Sequence, residues 1–196
     1  MTIRQHLLAV AMLTALAQPS LANSNLVDAR IIDNIRSWAE VPVVALTLNE
    51  RNRRDANLDS AAIDKLDKQW RAEREIDDQP LITAVLSSPL STYLTAIQAR
   101  SRGLFTEIFV MDAKGLNAGQ SSITSDYWQG DEAKWQKTYP MGATAVFVDA
   151  PEFNESLDTE NVQVNLSLAE NGKVIGAITV EVNLTEMRRR QAAGKI

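Results

Sequence analysis

The sequence predicts an α+β fold, with helices first and an antiparallel sheet after them. Three observations carry that expectation. Apolar residues recur at the spacing of one helical face through the first half, as at Val27, Ile31, Ile35 and Trp38. The period changes at Thr106, after which runs of β-favouring residues alternate with turn signals. The last two such runs are joined by Asn171-Gly172, a strong hairpin step.

In chain order, a first helix is expected from Leu26 to about Ala39, with Pro42 interrupting before Val43-Val44-Ala45-Leu46. The charged stretch Glu50 to Asp78 carries a narrow apolar stripe at Ile63, Leu66 and Trp70, the pattern of a solvated helix packed by one edge. Pro80 suits a first helical turn, Ser88-Pro89 starts another helix through Tyr93, Leu94 and Ile97, and Gly103 stops it. Glu107-Ile-Phe-Val-Met-Asp112 is apolar on both sides and predicts a central strand. Ala113-Lys114-Gly115 makes a turn, Leu116 to Ser122 returns as a strand, and Ala143 to Asp149 is the next. Val162, Val164, Leu166 and Leu168 alternate with Gln163, Asn165 and Ser167, which predicts a half-buried strand. Val174, Ile178, Val180 and Val182 answer across the hairpin, and Leu184 to Arg190 closes the chain as a short basic helix or a frayed tail.

Composition restricts the chemistry. The 196 residues include 20 Lys and Arg against 25 Asp and Glu, a net charge of −5 that argues against a nucleic-acid partner. Cysteine is absent, which removes disulfides, thiol nucleophiles and thiolate metal sites. The single histidine is His6. It lies inside a segment that reads as an export signal: Arg4 in a basic start, an apolar run from Leu7 to Ala17, Pro19, then Ser20-Leu21-Ala22 as a cleavage site. That run is too short for a bilayer, which needs about 20 apolar residues. Cleavage after Ala22 leaves neither histidine nor cysteine, so histidine-based triads, dyads and metal sites are excluded from the exported protein. The acids from Asp149 to Glu160 lack the alternating spacing and central Gly of a calcium loop, so no metal or cofactor is expected.

Chemistry concentrates between Ser125 and Tyr139, which holds Tyr127, Trp128, Trp135 and Tyr139 among Asp126, Asp131, Glu132, Lys134 and Lys137. Read as a helix beginning near Gly130, it places Trp128, Trp135 and Tyr139 roughly on one side. Such a face is either an aromatic wall around a small polar ligand or a helix pinned to the sheet. Trp70-Arg71 is a second aromatic-basic pair, on an edge more suited to anchoring its helix.

A helical first half, then Glu107-Ile-Phe-Val-Met-Asp112-Ala-Lys-Gly115, a returning strand, Asp126-Tyr127-Trp128 ahead of a short helix and a closing meander resembles a single Cache domain, the PAS-like extracytoplasmic sensor fold. The resemblance covers most of Asn23 to Asn183. It implies a sensory, non-catalytic protein that binds an amino acid, amine or carboxylate between the sheet and the segment Ser125 to Tyr139. Carried over by position, Tyr127 and Trp128 line the pocket with Asp126 at its rim. Lys134 and Trp135 join from the following helix, and Met111 and Asp149 face the same cavity. Lys134 suits a ligand carboxylate, and Asp126 and Asp149 suit an ammonium.

The expected organisation is a signal peptide over 1–22, one domain whose helical part spans 23–105 and whose sheet spans 106–183, and a basic tail over 184–196. Only Leu184 to Ile196 follows the last strand, too little to span a bilayer, so signalling is expected to pass through a membrane receptor or kinase partner. Two other readings compete with a periplasmic or secreted sensor. One is a ligand-free adaptor docked through the charged Glu50–Asp78 helix. The other is a carboxylate-dependent hydrolase working through a pair such as Asp126 and Asp131.

Overall fold

Asp28, Asp59 and Ser88 each accept a hydrogen bond from a backbone N–H in the first turn of a helix, and those caps explain where three of the helices begin. The computed structural model describes residues 26–195, so the expected signal peptide lies outside the described residues. Five helices come first: α1 (Ala29–Ala39), α2 (Pro42–Arg54), α3 (Ser60–Glu73), α4 (Pro80–Leu86) and α5 (Pro89–Arg100). Strands β1 (Phe105–Met111) and β2 (Asn117–Gln120) follow, then a short helix α6 (Ala133–Gln136) and a 3-10 turn at Tyr139–Met141. The chain ends with β3 (Val146–Val148), β4 (Glu152–Asn154), β5 (Thr159–Glu170), β6 (Lys173–Asn183) and α7 (Leu184–Ala192). The class is α+β, as expected.

Several boundaries differ from expectation for physical reasons. Pro42 starts α2 rather than merely interrupting, because the first helical position needs no N–H. The charged stretch is two helices, α2 and α3, separated at Asp55–Asp59. Nor is α3 merely a solvated edge: Asp67 and Glu73 are buried in it and serve neighbouring segments. Glu73 accepts from Leu81 N and Ile82 N at 2.8 and 3.0 Å, capping α4, whose own N-cap Gln79 supplies no side-chain bond. At the other end, Arg188, Arg189 and Arg190 are paired with Glu160 or Glu186. Arg190 also donates to the carbonyls of Ser101 and Arg102 just beyond α5, so α7 is docked on the body rather than a free basic tail.

The sheet is antiparallel and six-stranded in the order β2-β1-β6-β5-β3, with β4 pairing β5 beyond β3. The acid-rich segment from Asp149 to Glu160 therefore contains a short edge strand. Asn171 and Gly172 both have positive φ, at 51° and 78°, the mirror-type turn that their sequence signals. One face of the sheet is apolar. Ile108, Val110, Val164, Leu166, Ile178 and Val180 pack with Ile35, Leu48, Leu90 and Leu94 of the helices in the main core. Among the described residues no single helix is long and apolar enough to cross a membrane.

Candidate functional site

The opposite face of the sheet is mixed, with polar residues beside Phe109, Met111 and Ala177, and it is also covered. Cross-strand register sets Glu107 beside Glu181, Gln163 beside Glu181, Phe109 and Asn165 beside Thr179, and Ser167 beside Ala177. The alternation in β5 thus points Gln163, Asn165 and Ser167 to one side, as expected, but that side is not open to water. Asn165 and Thr179 are fully buried, and Ser167 nearly so. Thr179 Oγ1 donates to Asn165 Oδ1 at 2.7 Å, and Asn165 Nδ2 donates to Phe147 O at 3.0 Å. Part of the cover comes from the stretch after β2: Trp135 and Tyr139 stack at 5.0 Å and pack on Phe109, Met111 and Ala177.

That covering stretch is not the expected continuous helix. Helical geometry holds only over Ala133–Gln136, and Trp128 does not share a side with Trp135 and Tyr139. Three tertiary bonds hold the preceding loop out of a helix. Asp67 Oδ1 accepts from the backbone N–H of Tyr127 and of Trp128, at 2.9 and 3.0 Å, and Trp128 Nε1 donates to Lys114 O at 2.8 Å. Gly115 and Gly130 meet so closely that a Cβ on Gly115 would lie 2.6 Å from Gly130 Cα. Gly115 also has φ +80°, so this crossing needs glycine twice over.

The seven residues singled out from the sequence are distributed over several environments. Lys134 and Asp149 line one cleft of about 270 Å3 on the polar face, together with Glu132, Glu152, Asn161, Gln163 and Glu181. Met111 is fully buried beneath Trp135, whose Nε1 donates to Asp112 O at 3.2 Å. Tyr127 is buried on the helix side, stacked on Trp70 at 5.2 Å, with its hydroxyl accepting from Arg51. Trp70, fully buried, donates to Thr124 O and anchors α3, while Arg71 pairs with Asp67 and Asp126. Asp126 is further engaged by Gln129. Trp128 lines a separate groove against α3 with Arg71 and Asp131.

The cleft's electrostatics are dominated by acids. Lys134 Nζ lies 2.8 Å from Glu132 Oε2 and 5.4 Å from the centre of the Phe109 ring. Asp149 Oδ1 accepts from Ala150 N at 2.8 Å, and Glu181 accepts from the Thr106 hydroxyl. Asn161 is 4% exposed, and its amide oxygen has no hydrogen-bond partner among the described residues. Behind the cleft, burial pushes the Glu107 carboxyl above the usual carboxylate range. The Ser122 hydroxyl opposes that rise, and the neighbouring Glu181 charge adds to it. Of the cleft's other lining residues, Glu132 lies in the segment already singled out for its charges, whereas Glu152, Asn161, Gln163 and Glu181 were not among the candidates. The available signal was the polar positions of β5 and β6 that alternate with valines, read as a solvent face.

Comparison with known proteins gives the following. No protein-family model matches the chain, and no curated protein does. Among solved structures it is similar to the ligand-binding domain of the Campylobacter jejuni chemoreceptor Tlp3 in complex with 4-methylisoleucine. The identity is 14% and the TM-score 0.39, covering 78% of this chain and 65% of that one. It is similar to the ligand-binding domain of the Pseudomonas aeruginosa amino-acid chemoreceptor PctC in complex with GABA, with 14% identity and TM-score 0.37, covering 81% and 60%. A third is the ligand-binding domain of Mlp24 with asparagine, with 13% identity and TM-score 0.36, covering 80% and 62%. The chain therefore spans less than two thirds of the length of each of these structures.

Proposed function

We propose that this protein is an exported, non-catalytic sensor of the single-Cache type. It binds a small charged metabolite in the cleft under the polar face of the sheet and passes the bound state to a membrane receptor or kinase partner. In this reading 1–22 is the export signal, 23–105 and 106–183 are the helical and sheet parts of one domain, and 184–196 is a C-terminal extension. One observation carries the reading. The β-sheet face that carries Gln120, Asn165, Ser167 and Thr179 buries these polar residues rather than leaving them solvated, and beside them lies a cleft lined by Lys134, Asp149 and Glu181. Buried polar surface is costly unless something satisfies it, and a cavity of about 270 Å3, just below the usual range of drug-sized pockets, has room for a small metabolite only. The hydrolase alternative asks Asp126 to be free, whereas Arg71 and Gln129 hold it.

The test is a thermal-shift screen of the purified protein against amino acids, amines and carboxylates. A ligand at 100 times its dissociation constant contributes about 2.7 kcal/mol, which moves the melting point by several degrees. The companion variant is Ala150→Trp, which places a bulky ring on an exposed residue at the cleft. A saturable shift that Ala150→Trp abolishes is expected. Silence across the panel from a cooperatively folded protein would overturn the reading in favour of an adaptor.

A further inference from the structure

The walls of the cleft are unevenly charged, and the imbalance has a direction. Its lining carries four carboxylates, Glu132, Asp149, Glu152 and Glu181, against one cation, Lys134. That cation is already used: its ammonium sits 2.8 Å from Glu132. Lys137, the next nearest basic residue in sequence, lies 4.2 Å over the ring of Phe147 and does not line the cleft. Among the described residues, three acids are left without a cationic partner, and each keeps at least one oxygen free of a hydrogen bond.

These acids stand at two poles. Register pairs Glu181 of β6 with Gln163, and Glu152 of β4 with Asn161, on opposite edges of β5. Asp149 lies on the same edge as Glu152, since its N–H donates to Gln163 O at 3.0 Å. Two strand spacings therefore separate the poles, about 10 Å at the backbone. Gln163 lies directly between Glu181 and Asp149, and Asn161, the next residue on the same face of β5 and the partner of Glu152, is 4% exposed with its buried amide oxygen unpartnered among the described residues. That is an independent sign that a polar group is missing from this spot, because a buried amide is ordinarily satisfied.

We propose that the cleft is a site for a small aliphatic diamine, one ammonium at Glu181 and the other at Asp149 and Glu152, with its chain crossing β5 between Gln163 and Asn161. This rests on the reading of the cleft as the ligand site and names its ligand class. A ligand carboxylate would have to displace Glu132 from Lys134 and would then face the remaining acids. A zwitterion satisfies one pole and is repelled by the other.

A matched four-carbon series tests this: 1,4-diaminobutane, 4-aminobutanoate and butanedioate, each titrated by calorimetry into the purified protein. The diamine is expected to bind saturably, at least about tenfold more tightly than 4-aminobutanoate, with no binding of butanedioate. Glu181→Gln removes one charge while leaving an acceptor for Thr106, and it should weaken the diamine by about tenfold or more, the loss expected of a hydrogen bond to a charged group. Glu155→Gln, an exposed acid outside the cleft, should leave binding unchanged. Binding of 4-aminobutanoate or butanedioate as tight as the diamine overturns the diamine assignment and leaves the cleft as a ligand site. Equal weakening by both variants also overturns it, since the attraction would then be general surface charge. If the diamine is silent while an amino acid binds and Ala150→Trp blocks it, the assignment alone falls. Silence from the whole panel removes the ligand-site reading with it.

Discussion

The two faces of this sheet are both buried, but by different physics. On the helix side, Ile108, Val110, Val164, Leu166, Ile178 and Val180 meet Ile35, Leu48 and Leu94, and burial of apolar area needs no directional partner. On the other side, Gln120, Asn165, Ser167 and Thr179 are buried under a loop, where each polar atom needs a partner of its own. Some have one, as in the bonds from Thr179 to Asn165 and from Asn165 to Phe147 O. Others do not: Gln120 Nε2, Asn161 Oδ1 and Ser167 Oγ are buried without a bond. One face is packed without directional demands, and the other keeps unmet polar capacity, at Asn161 on the lining of the cleft and at Gln120 and Ser167 away from it.

Substitutions on each face sharpen that contrast. The largest effect is expected from Ile178→Ala on the apolar face, where a fully buried side chain leaves a cavity; equilibrium denaturation should show a loss of about 2–5 kcal/mol. Thr179→Val, on the adjacent residue pointing the other way, conserves volume but strands Asn165 Oδ1. A loss of about 1–3 kcal/mol is expected, and no loss would mean that the polar face is not truly dry.

Glu107→Gln is expected to act in the opposite direction, raising stability at neutral pH. The Glu107 carboxyl is held above its ordinary 4.5 by burial, with the Ser122 hydroxyl opposing, Glu181 adding, and the more distant Lys134 and Asp126 charges acting in opposite senses. Between that value and the folded one, the native state binds more protons than the unfolded state, so the wild-type contribution falls as pH rises through this window. Gln removes that loss and keeps an acceptor for Ser122. The gain over wild type should therefore be present at pH 7 and vanish below about pH 4, as followed by melting temperature against pH. A gain that persists in acid would refute the charge explanation.

Legibility followed how local the cause was. Ser88-Pro89, Gly103 and Asn171-Gly172 act on their own backbone, so α5, its end and the final hairpin could be placed from residues alone. The segment Ser125 to Tyr139 could not. Its charges and aromatics favour a helix locally, but Asp67 takes the N–H groups of Tyr127 and Trp128 from 60 residues away, and Trp128 is spent on Lys114 O. The site suffered in the same way. Lys134, inside the aromatic segment, and Asp149, at the end of a strand, were singled out through the family resemblance, and the structure brings the two to one cleft. Glu181 and Asn161 were hidden inside alternating strands, where polar residues look like a solvent face.

The amino-acid sequence by itself determined the α+β class, the order of helices before strands, the apolar face of the sheet and the absence of cysteine chemistry. These follow from composition and from periods of 3.6 and 2, which each segment carries within itself. Only the tertiary structure decided that the second face of the sheet is covered, that the basic residues of α7 are neutralised, and that acids from β6 and the β3–β4 link flank β5 at one cleft. Those outcomes depend on strand register and on charges brought together from distant parts of the chain, and no local period encodes either.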